Sequence, residues 1–401
     1  MKRFALSLLS KVVPTKNHIV FYSLPDYSGN PKALYEYARE NYRDGTRLIW
    51  IVSSSESEYK LRRRGIESYS IYTKEGVMKL LQAKVVILSH MIFRPGRAII
   101  KSRGQKYFYL PHGLPFKARY MLHYYPRWMD ILIDLTITTS ELAKYIHSSW
   151  LSISLDKFKI TGYPRNDVLL RLSRDDAIKK ILSKILNHDL ERSTEILLYA
   201  PTYRMWFHNA DGMSLYRSEG KPFDGILPFT MDELSKLDHF LDNNNSLLLI
   251  RYHPFEEDYR VGKYSNIFNK FKNIKLIRSE DLSRLDISIN DILPAVDCLI
   301  TDYSSIFYDY LLLNRPVIFH LYDLDEYSRD RGFIIGKENL NLYLPGEITR
   351  NYNEFMDSLK AVLEGDDRYV DKRIYIARLF HKYIDDKSSE RVWKLVSENL
   401  L

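Results

Sequence analysis

Short apolar runs alternate with amphipathic helical patterns along most of this chain, and this alternation restricts its possible folds more than any other feature. The helical patterns cover residues 31–42, 75–82, 140–150, 231–242, 290–296 and 304–313. The apolar runs are His18–Tyr22, Arg47–Val52, Val85–Ser89, Lys106–Leu110, Leu135–Thr138, Glu195–Ala200, Ser246–Tyr252, Ile274–Ile277, Cys298–Thr301 and Pro316–His320. Continuous apolar strands that alternate with helices are typical of parallel sheets covered on both faces. The sequence therefore predicts an α/β protein.

The predicted strands fall into two series, and 401 residues are enough for two domains that each bury a core. The series meet at a Gly/Pro turn, Thr161–Asn166, which is followed by a charged helix that ends near Arg192. We therefore expect a first domain over residues 1–175, a second over 190–370 and a final helical segment over 371–401.

Lysine and arginine are concentrated in the first third of the chain. Residues 1–120 contain 22 Lys and Arg against 8 Asp and Glu, a net charge of +14, whereas the remaining 281 residues contain 37 against 43, a net charge of −6. A basic face attracts nucleic acid, anionic lipid or an anionic polymer, and it is equally compatible with a merely solvated surface. No recognised nucleic-acid-binding module accompanies it, so we expect no nucleic-acid partner.

The amino terminus predicts a short basic amphipathic helix that docks on the protein or lies on a membrane. Its apolar and basic residues are Lys2, Arg3, Phe4, Leu8, Leu9, Lys11 and Val12. Lys11 interrupts the apolar segment and no small-residue cleavage site follows, which argues against a signal peptide. No apolar run reaches the ~18 residues that a membrane span requires. The one cysteine, Cys298, lies in an apolar run and indicates a buried thiol in a reducing compartment.

The run Cys298–Thr301 ends abruptly in Asp302-Tyr303-Ser304-Ser305, and a helical pattern begins at once. A strand that ends in small hydroxyl residues and turns directly into a helix presents backbone N–H groups and the positive end of the helix dipole to an anion. Capping of the helix by one of the serines is the alternative, because serine is a preferred N-cap residue. Capping does not account for Thr301 and Asp302 as well, so we favour a phosphate site.

Polar residues also follow four other strands of the second series, at the carboxyl ends where open parallel sheets bind ligands. They are Thr202 and Arg204, Arg251 and His253, Arg278 and Ser279, and His320. Such an edge suits a nucleotide diphosphate. In an extended strand Arg251 and His253 point to the same face, where they could clamp a pyrophosphate and protonate the leaving phosphate. The alternative is an arginine paired with a carboxylate beside a structural histidine.

His112 stands between Pro111 and Gly113 on a loop that follows the carboxyl end of the predicted strand Lys106–Leu110 in the first series. If the ligand-binding edges of the two sheets face each other, they would enclose a cleft. Gly113 lets the backbone approach a ligand closely, and imidazole titrates near neutrality. We therefore favour His112 as a general base over a histidine that only fixes its own turn. Asp302 could bind a metal, hold His253 or cap a turn. No other close carboxylate supports a metal cage, so we predict no cofactor and leave metal dependence open.

Ten short motifs follow one another between about residues 18 and 350. They are Tyr27–Tyr37, Gly104–Tyr107, Pro111–Lys117, Gly162–Asp167, Leu198–Arg204, Arg251–His253, Ile300–Ser305, Arg315–Phe319, Tyr322–Leu324 and Arg331–Phe333. In this order they resemble the CDP-glycerol glycerophosphotransferase family, which includes teichoic-acid primases and polymerases and their capsule relatives. Each motif alone is weak, whereas the ordered set is specific.

The resemblance implies a GT-B architecture, in which two Rossmann-like parallel-sheet domains face each other across a cleft and the C-terminal one holds the nucleotide. It implies that a polyol phosphate, in the first place glycerol phosphate, moves from a CDP-activated donor to a hydroxyl of a lipid-linked glycan or polyol-phosphate acceptor. CMP would be released, in the synthesis of a teichoic-acid-like or capsular polymer. The enzyme would be cytoplasmic and peripherally attached to the inner face of the membrane, where a basic first domain suits an anionic acceptor.

The resemblance also assigns roles to individual residues. His112 would deprotonate the acceptor hydroxyl, while Arg251 and His253 would hold the donor diphosphate and stabilise the departing CMP. The other donor-side residues would be Thr202, Arg204, Thr301, Asp302, Ser304, Ser305, Arg331 and Gly332. The acceptor-side residues would be Gly113, Lys117 and Arg165.

Two positions depart from the family pattern. Leu114 stands where the family usually has threonine, and Pro254 replaces the usual tyrosine after His253. An Arg-x-His-Pro strand end also occurs in sugar transferases of the same architecture. The alternative is therefore a GT-B glycosyltransferase that uses a nucleotide sugar for cell-surface polysaccharide synthesis. Release of UDP or GDP instead of CMP would distinguish it.

Overall fold

A computed structural model of the chain describes residues 3–42, 45–92, 100–118, 128–202, 205–208, 213–216, 228–254, 256–257 and 266–399. The chain divides into two compact units. The first comprises Met1–Val168 together with Leu379–Leu401, and the second comprises Leu169–Arg378. No helix within the described ranges is both long and apolar enough to cross a bilayer.

Seven parallel strands form the sheet of the first unit. Strands β1–β7 are Lys16–Tyr22, Arg47–Val52, Ser68–Ser70, Ala83–Leu88, Lys106–Tyr109, Leu135–Thr138 and Phe158–Ile160. They lie in the order β3-β2-β1-β4-β5-β6-β7. Successive residues of β1 enter different cores: Val20 and Tyr22 pack on one face of the sheet, and Ile19 and Phe21 on the other. Burial on both faces explains why these strands are continuously apolar.

Helices cover this sheet. Helices α1–α6 are Arg3–Val12, Gly29–Asn41, Ser55–Arg63, Lys74–Gln82, Trp128–Leu132 and Glu141–Leu151. Hydroxyl side chains cap three of them, since Ser54, Thr73 and Ser140 each accept a backbone N–H hydrogen bond at the start of α3, α4 and α6. Helix α1 buries Leu6 and Ser10, while Leu8 and Val12 are 51% and 75% exposed.

Six parallel strands form the main sheet of the second unit. Strands β8–β15 are Glu195–Ala200, Met205–His208, Met213–Tyr216, Ser246–Ile250, Ile274–Leu276, Cys298–Thr301, Val317–His320 and Glu347–Thr349. The main sheet has the order β12-β11-β8-β13-β14-β15, and β9 pairs with β10 as a separate antiparallel hairpin. Helices α7–α18 are Asp167–Arg171, Arg174–Ala177, Ser183–Leu186, Met231–Asn243, Ser279–Leu285, Ile289–Ile292, Ile306–Tyr310, Leu324–Arg331, Leu340–Tyr343, Tyr352–Leu363, Val370–Phe380 and Ser388–Glu398.

The last helix, α18, belongs to the first unit although more than 200 residues of sequence separate it from β7. The carboxylate of Asp167 accepts hydrogen bonds from the backbone N–H groups of Ser388 at 2.9 Å and Ser389 at 2.8 Å, which satisfies two free donors at the start of α18. Val392 and Trp393 are buried in the same core as Phe21. The final segment therefore completes a core that the start of the chain begins.

All ten predicted strands are present, and the two parallel sheets confirm the predicted α/β fold class. The structure adds three strands of three residues, Ser68–Ser70, Phe158–Ile160 and Glu347–Thr349, and the hairpin β9–β10. Three residues are too few to show a period, and of the four three-residue strands only Ile274–Leu276 lies in a predicted apolar run. Several predicted boundaries are wrong by one or two residues, and one of them bears on the site: β11 ends at Ile250 rather than at Tyr252, so Arg251 and His253 lie beyond the strand.

Candidate active site

The loop that carries His112 leaves the carboxyl end of β5 in the middle of the first sheet. The backbone N–H of Leu110 donates to the Leu88 carbonyl at 2.8 Å, so the loop starts beside the end of β4. The His112 side chain is exposed, and its ring stacks on that of His90 with centroids 5.1 Å apart and planes 18° from parallel. The exposed imidazole therefore lies at the carboxyl edge of the sheet, which is the edge where parallel sheets bind ligands.

His90, which supports the His112 ring, is held in its neutral form. Burial lowers the pKa of His90 to about 4. The backbone N–H of Leu24 donates to its Nδ1 at 3.4 Å, so the ring proton is on Nε2. A neutral neighbour does not repel the positive charge that His112 would acquire on accepting a proton.

Side chains from three other elements hold the backbone of the His112 loop. Asn30 Nδ2 donates to the Pro111 carbonyl at 2.6 Å, an Arg165 guanidinium N–H donates to the His112 carbonyl, and His147 Nε2 lies 3.2 Å from the Gly113 carbonyl. Side chains of three other elements therefore hold the turn, while His112 itself stays exposed.

The second unit brings five predicted polar segments to one edge. Because β12, β11, β8, β13 and β14 are parallel neighbours in that order, the residues that follow each of them lie side by side. This arrangement confirms the adjacency predicted for the strand ends that carry Arg278, Arg251, Thr202, Asp302 and His320. His320 is itself the last residue of β14 and is buried, with its Nδ1 2.8 Å from Thr349 Oγ1.

Thr301 and Asp302 tie two neighbouring strand ends together. Thr301 Oγ1 donates to the Ala200 carbonyl at 2.7 Å, and Asp302 Oδ1 accepts from the backbone N–H groups of Thr202 at 2.8 Å and Tyr303 at 2.5 Å. Thr301 and Asp302 are fully buried. Of the three roles considered for Asp302, these contacts correspond to holding the turn.

Ser304 and Ser305 are half-buried at the start of α13. Ser305 is the N-cap residue, but its side chain makes no capping hydrogen bond, so capping does not account for it. Arg331 is buried at the end of α14, and Gly332 follows it. Their neighbours in the sequence contact Tyr303: the Tyr303 ring stacks on Tyr327 with centroids 4.0 Å apart and also contacts Phe333. Arg331 and Gly332 therefore lie in the same region as the two serines. The backbone of Gly332 has φ +61° and ψ 172°, a conformation that residues other than glycine rarely adopt.

Arg251 is engaged in a buried ion pair. Its guanidinium contacts the Glu257 carboxylate and donates to Ser279 Oγ at 2.7 Å. The same carboxylate accepts from the Ser279 backbone N–H at 2.7 Å. The structure thus contains the arginine–carboxylate pairing that the sequence left as an alternative. His253 is half-buried, and its carbonyl accepts from the backbone N–H of Glu257 at 3.1 Å.

The remaining predicted residues differ in how far they are exposed. Lys117 and Arg165 are partly exposed, as is Gly113, and Thr202 is buried. Arg204 lies outside the described residues. Within the described ranges, no three or more His, Cys, Asp or Glu side chains gather as they would around a metal ion.

Sequence reasoning missed Asn30, His147 and Glu257 as contributors to these sites. Asn30 lies on the first turn of α2 and His147 within α6, where the period indicates only a helix position. Glu257 follows Arg251 by six residues, beyond the strand and outside any period that links the two. Of these three residues only Asn30 lies in an unusual local sequence, the Gly-Asn-Pro start of α2.

Comparisons with known proteins agree on one family. A family model described as CDP-Glycerol:Poly(glycerophosphate) glycerophosphotransferase matches residues 5–398. The teichoic acid glycerol-phosphate transferase of Staphylococcus aureus is 27% identical, with 97% of this chain and 95% of that protein covered. The teichoic acid poly(glycerol phosphate) polymerase of Bacillus subtilis is 25% identical, with 90% and 46% covered. The chain therefore spans nearly all of the transferase but about half of the polymerase.

Solved structures show the same fold. A structure of the wall teichoic acid polymerase TagF has a TM-score of 0.74 and 24% identity, and covers 99% of this chain and 92% of that one. An S. aureus MnaA–UDP co-structure has a TM-score of 0.54 and 15% identity, with 96% and 98% covered. Both similarities concern the fold alone.

Proposed function

The chain belongs to the CDP-glycerol:poly(glycerophosphate) glycerophosphotransferase family, and from this premise we propose that it transfers glycerol phosphate from CDP-glycerol to a hydroxyl of a lipid-linked anionic acceptor in teichoic-acid-like polymer synthesis. The observation that carries the proposal is the family match over residues 5–398, which includes both sheets. The S. aureus relative named a glycerol-phosphate transferase and the TagF structure obtained with CDPG support glycerol phosphate as the group moved.

The proposed reaction is an in-line displacement at phosphorus. The acceptor oxygen forms a bond to the phosphorus that bears glycerol, and the bond from that phosphorus to the bridging oxygen breaks, so CMP leaves. The acceptor proton passes to His112. Such reactions depend on positioning and on neutralisation of charge more than on covalent chemistry. The edge beyond β11, β8 and β13 supplies hydroxyl, imidazole and guanidinium groups for this purpose.

A panel of nucleotides tests the donor. We expect CDP-glycerol to raise the melting temperature of the purified protein more than CMP, CDP, CDP-ribitol, UDP-sugars or GDP-sugars, since a ligand at 100 times its Kd stabilises a folded protein by about 2.7 kcal/mol. Release of CMP on addition of a lipid-linked acceptor would complete the test. Selective stabilisation by a UDP- or GDP-sugar would contradict the proposal and indicate glycosyl transfer.

Ser304 and Ser305 are proposed to bind donor phosphate. The double change Ser304→Ala/Ser305→Ala is expected to weaken CDP-glycerol binding by roughly 10²- to 10⁴-fold, because two hydrogen bonds to a charged group contribute about 1.5–3 kcal/mol each. Calorimetry measures the Kd. The matched control is Ser235→Ala/Ser358→Ala, which removes two hydroxyls bonded to carbonyls of their own helices. Unchanged affinity in the folded double variant would place the phosphate site elsewhere.

Helix α1 is proposed to attach the enzyme peripherally to the inner face of the membrane. Leu8 and Val12 are exposed next to Lys11, which suits an anionic lipid surface. Leu8→Ser/Val12→Ser is expected to weaken binding to anionic vesicles by roughly tenfold, as two apolar side chains no longer leave water. Ile384→Ser, at another site that is 50% exposed, is the control for vesicle flotation. Equal flotation of all three proteins would rule α1 out as the attachment.

A further inference from the structure

Three consecutive carbonyls, those of Pro111, His112 and Gly113, are each contacted by a side chain from a different element. The contacts come from α2, from the segment after β7 and from α6. A carbonyl contact fixes the orientation of its peptide plane, and three in succession fix the backbone dihedrals of His112 and Gly113. Since Gly113 would otherwise be the most flexible point of the loop, this contact network determines where the His112 side chain points.

Two of the three contacts are made by fully buried side chains. Asn30 is not exposed at all, and its Oδ1 accepts the backbone N–H of Arg165 at 3.1 Å while its Nδ2 donates to Pro111. The orientation of the Asn30 amide is thereby determined, because only the nitrogen can donate. Asn30 joins the His112 loop to the segment that carries the Arg165 side chain, so the contacts support one another.

His147 is the second buried member, at the centre of a small polar network. Its Nε2 lies 3.2 Å from the Gly113 carbonyl and 3.2 Å from the Tyr163 hydroxyl, and its Nδ1 lies 3.1 Å from Thr138 Oγ1. A carbonyl can only accept, so the contact with Gly113 requires the proton on Nε2. Burial lowers the pKa of His147 to about 4, so its imidazole is neutral near pH 7.

We propose that Asn30 and His147 are positioning residues that hold the His112 imidazole in its reactive orientation through the carbonyls of its own loop. The inference rests on the proposed function in one respect, namely that His112 is the base. Neither residue needs to touch substrate. A displacement of the base by about 1 Å is enough to lower turnover by roughly 100-fold.

The decisive variants are His147→Leu and Asn30→Asp. Leucine has no donor for the Gly113 carbonyl, and Asn30→Asp keeps an acceptor for the Arg165 N–H but loses the donor to Pro111. His18→Leu is the matched control, because His18 is also a buried imidazole and its Nε2 lies 2.8 Å from the Lys79 carbonyl. We expect kcat to fall roughly 100-fold in both loop variants with the donor KM changed less than about threefold, and to stay within about twofold in His18→Leu.

A second readout does not depend on turnover. In protein labelled with ¹³C-histidine, the His112 signal is identified by its disappearance in His112→Gln. We expect this signal to broaden or divide in His147→Leu and Asn30→Asp without any ligand, and to stay unchanged in His18→Leu. An unchanged His112 signal together with normal kcat in either folded loop variant would overturn the positioning role. Normal turnover in His112→Ala would instead overturn the proposed base, so the two failures are distinguishable.

Discussion

Replacement of His112 by alanine is expected to lower kcat by about 10²–10⁴-fold, the range over which a positioned general base accelerates proton transfer. The donor Kd is expected to stay within about threefold, because His112 is proposed to act on the acceptor hydroxyl. Steady-state release of CMP measures kcat, and calorimetry measures the Kd.

His188→Ala is the control for this prediction, since His188 is an exposed histidine whose Nδ1 contacts a carbonyl two residues away. A small change on removing His112, in protein that melts like the wild type, would show that the acceptor proton goes elsewhere. The stacked neutral ring of His90 would then be the next residue to test.

Arg251→Ala is expected to reduce the free energy of unfolding by about 3–5 kcal/mol, because removal of one partner leaves the other charge of a buried pair uncompensated. The side chains of Arg251 and Glu257 are only 9% and 10% exposed. Urea denaturation measures the loss. The double variant Arg251→Ala/Glu257→Ala is expected to recover much of it, since no unpaired charge remains.

The double variant also separates two roles of Arg251. If stability returns and CDP-glycerol affinity returns with it, the arginine only shapes the strand end. If stability returns and affinity stays low, the guanidinium contacts the donor, as the family resemblance implies. Arg174→Ala serves as the control, because Arg174 pairs with Asp297 at the opposite end of the strands and is expected to cost stability without changing donor affinity.

The stability contributed by the Arg251–Glu257 pair should depend on pH. Burial of Glu257 opposes its ionisation, but hydrogen bonds from Ser279 and Arg251 outweigh burial and lower the pKa of Glu257. A carboxylate with a lowered pKa in the folded state contributes stability above its unfolded pKa, and this contribution is lost as pH falls through the folded value. The stability difference between wild type and Arg251→Ala should therefore shrink below about pH 4.

The strands could be predicted from the sequence, whereas the contacts that hold the site could not. A strand buried on both faces must be apolar over its whole length, and Val85–Leu88 shows this directly. The side chains that hold the His112 loop are those of Asn30 and His147. No helix or strand period in the sequence links either residue to the loop. Arg251 shows the same limit: its position after a strand was recognisable, but Glu257 as its partner depends on how the chain turns after Pro254.

The placement of α18 has a consequence for the synthesis of the protein. The ribosome completes Val168 long before it reaches Val392 and Trp393, and at 5–20 residues per second the delay is roughly 10–50 s. During that interval the nascent first unit lacks part of its core and exposes the apolar surface that α18 later covers. The first unit cannot mature before the second has been translated, so chaperones have an extended period in which to bind the emerging chain.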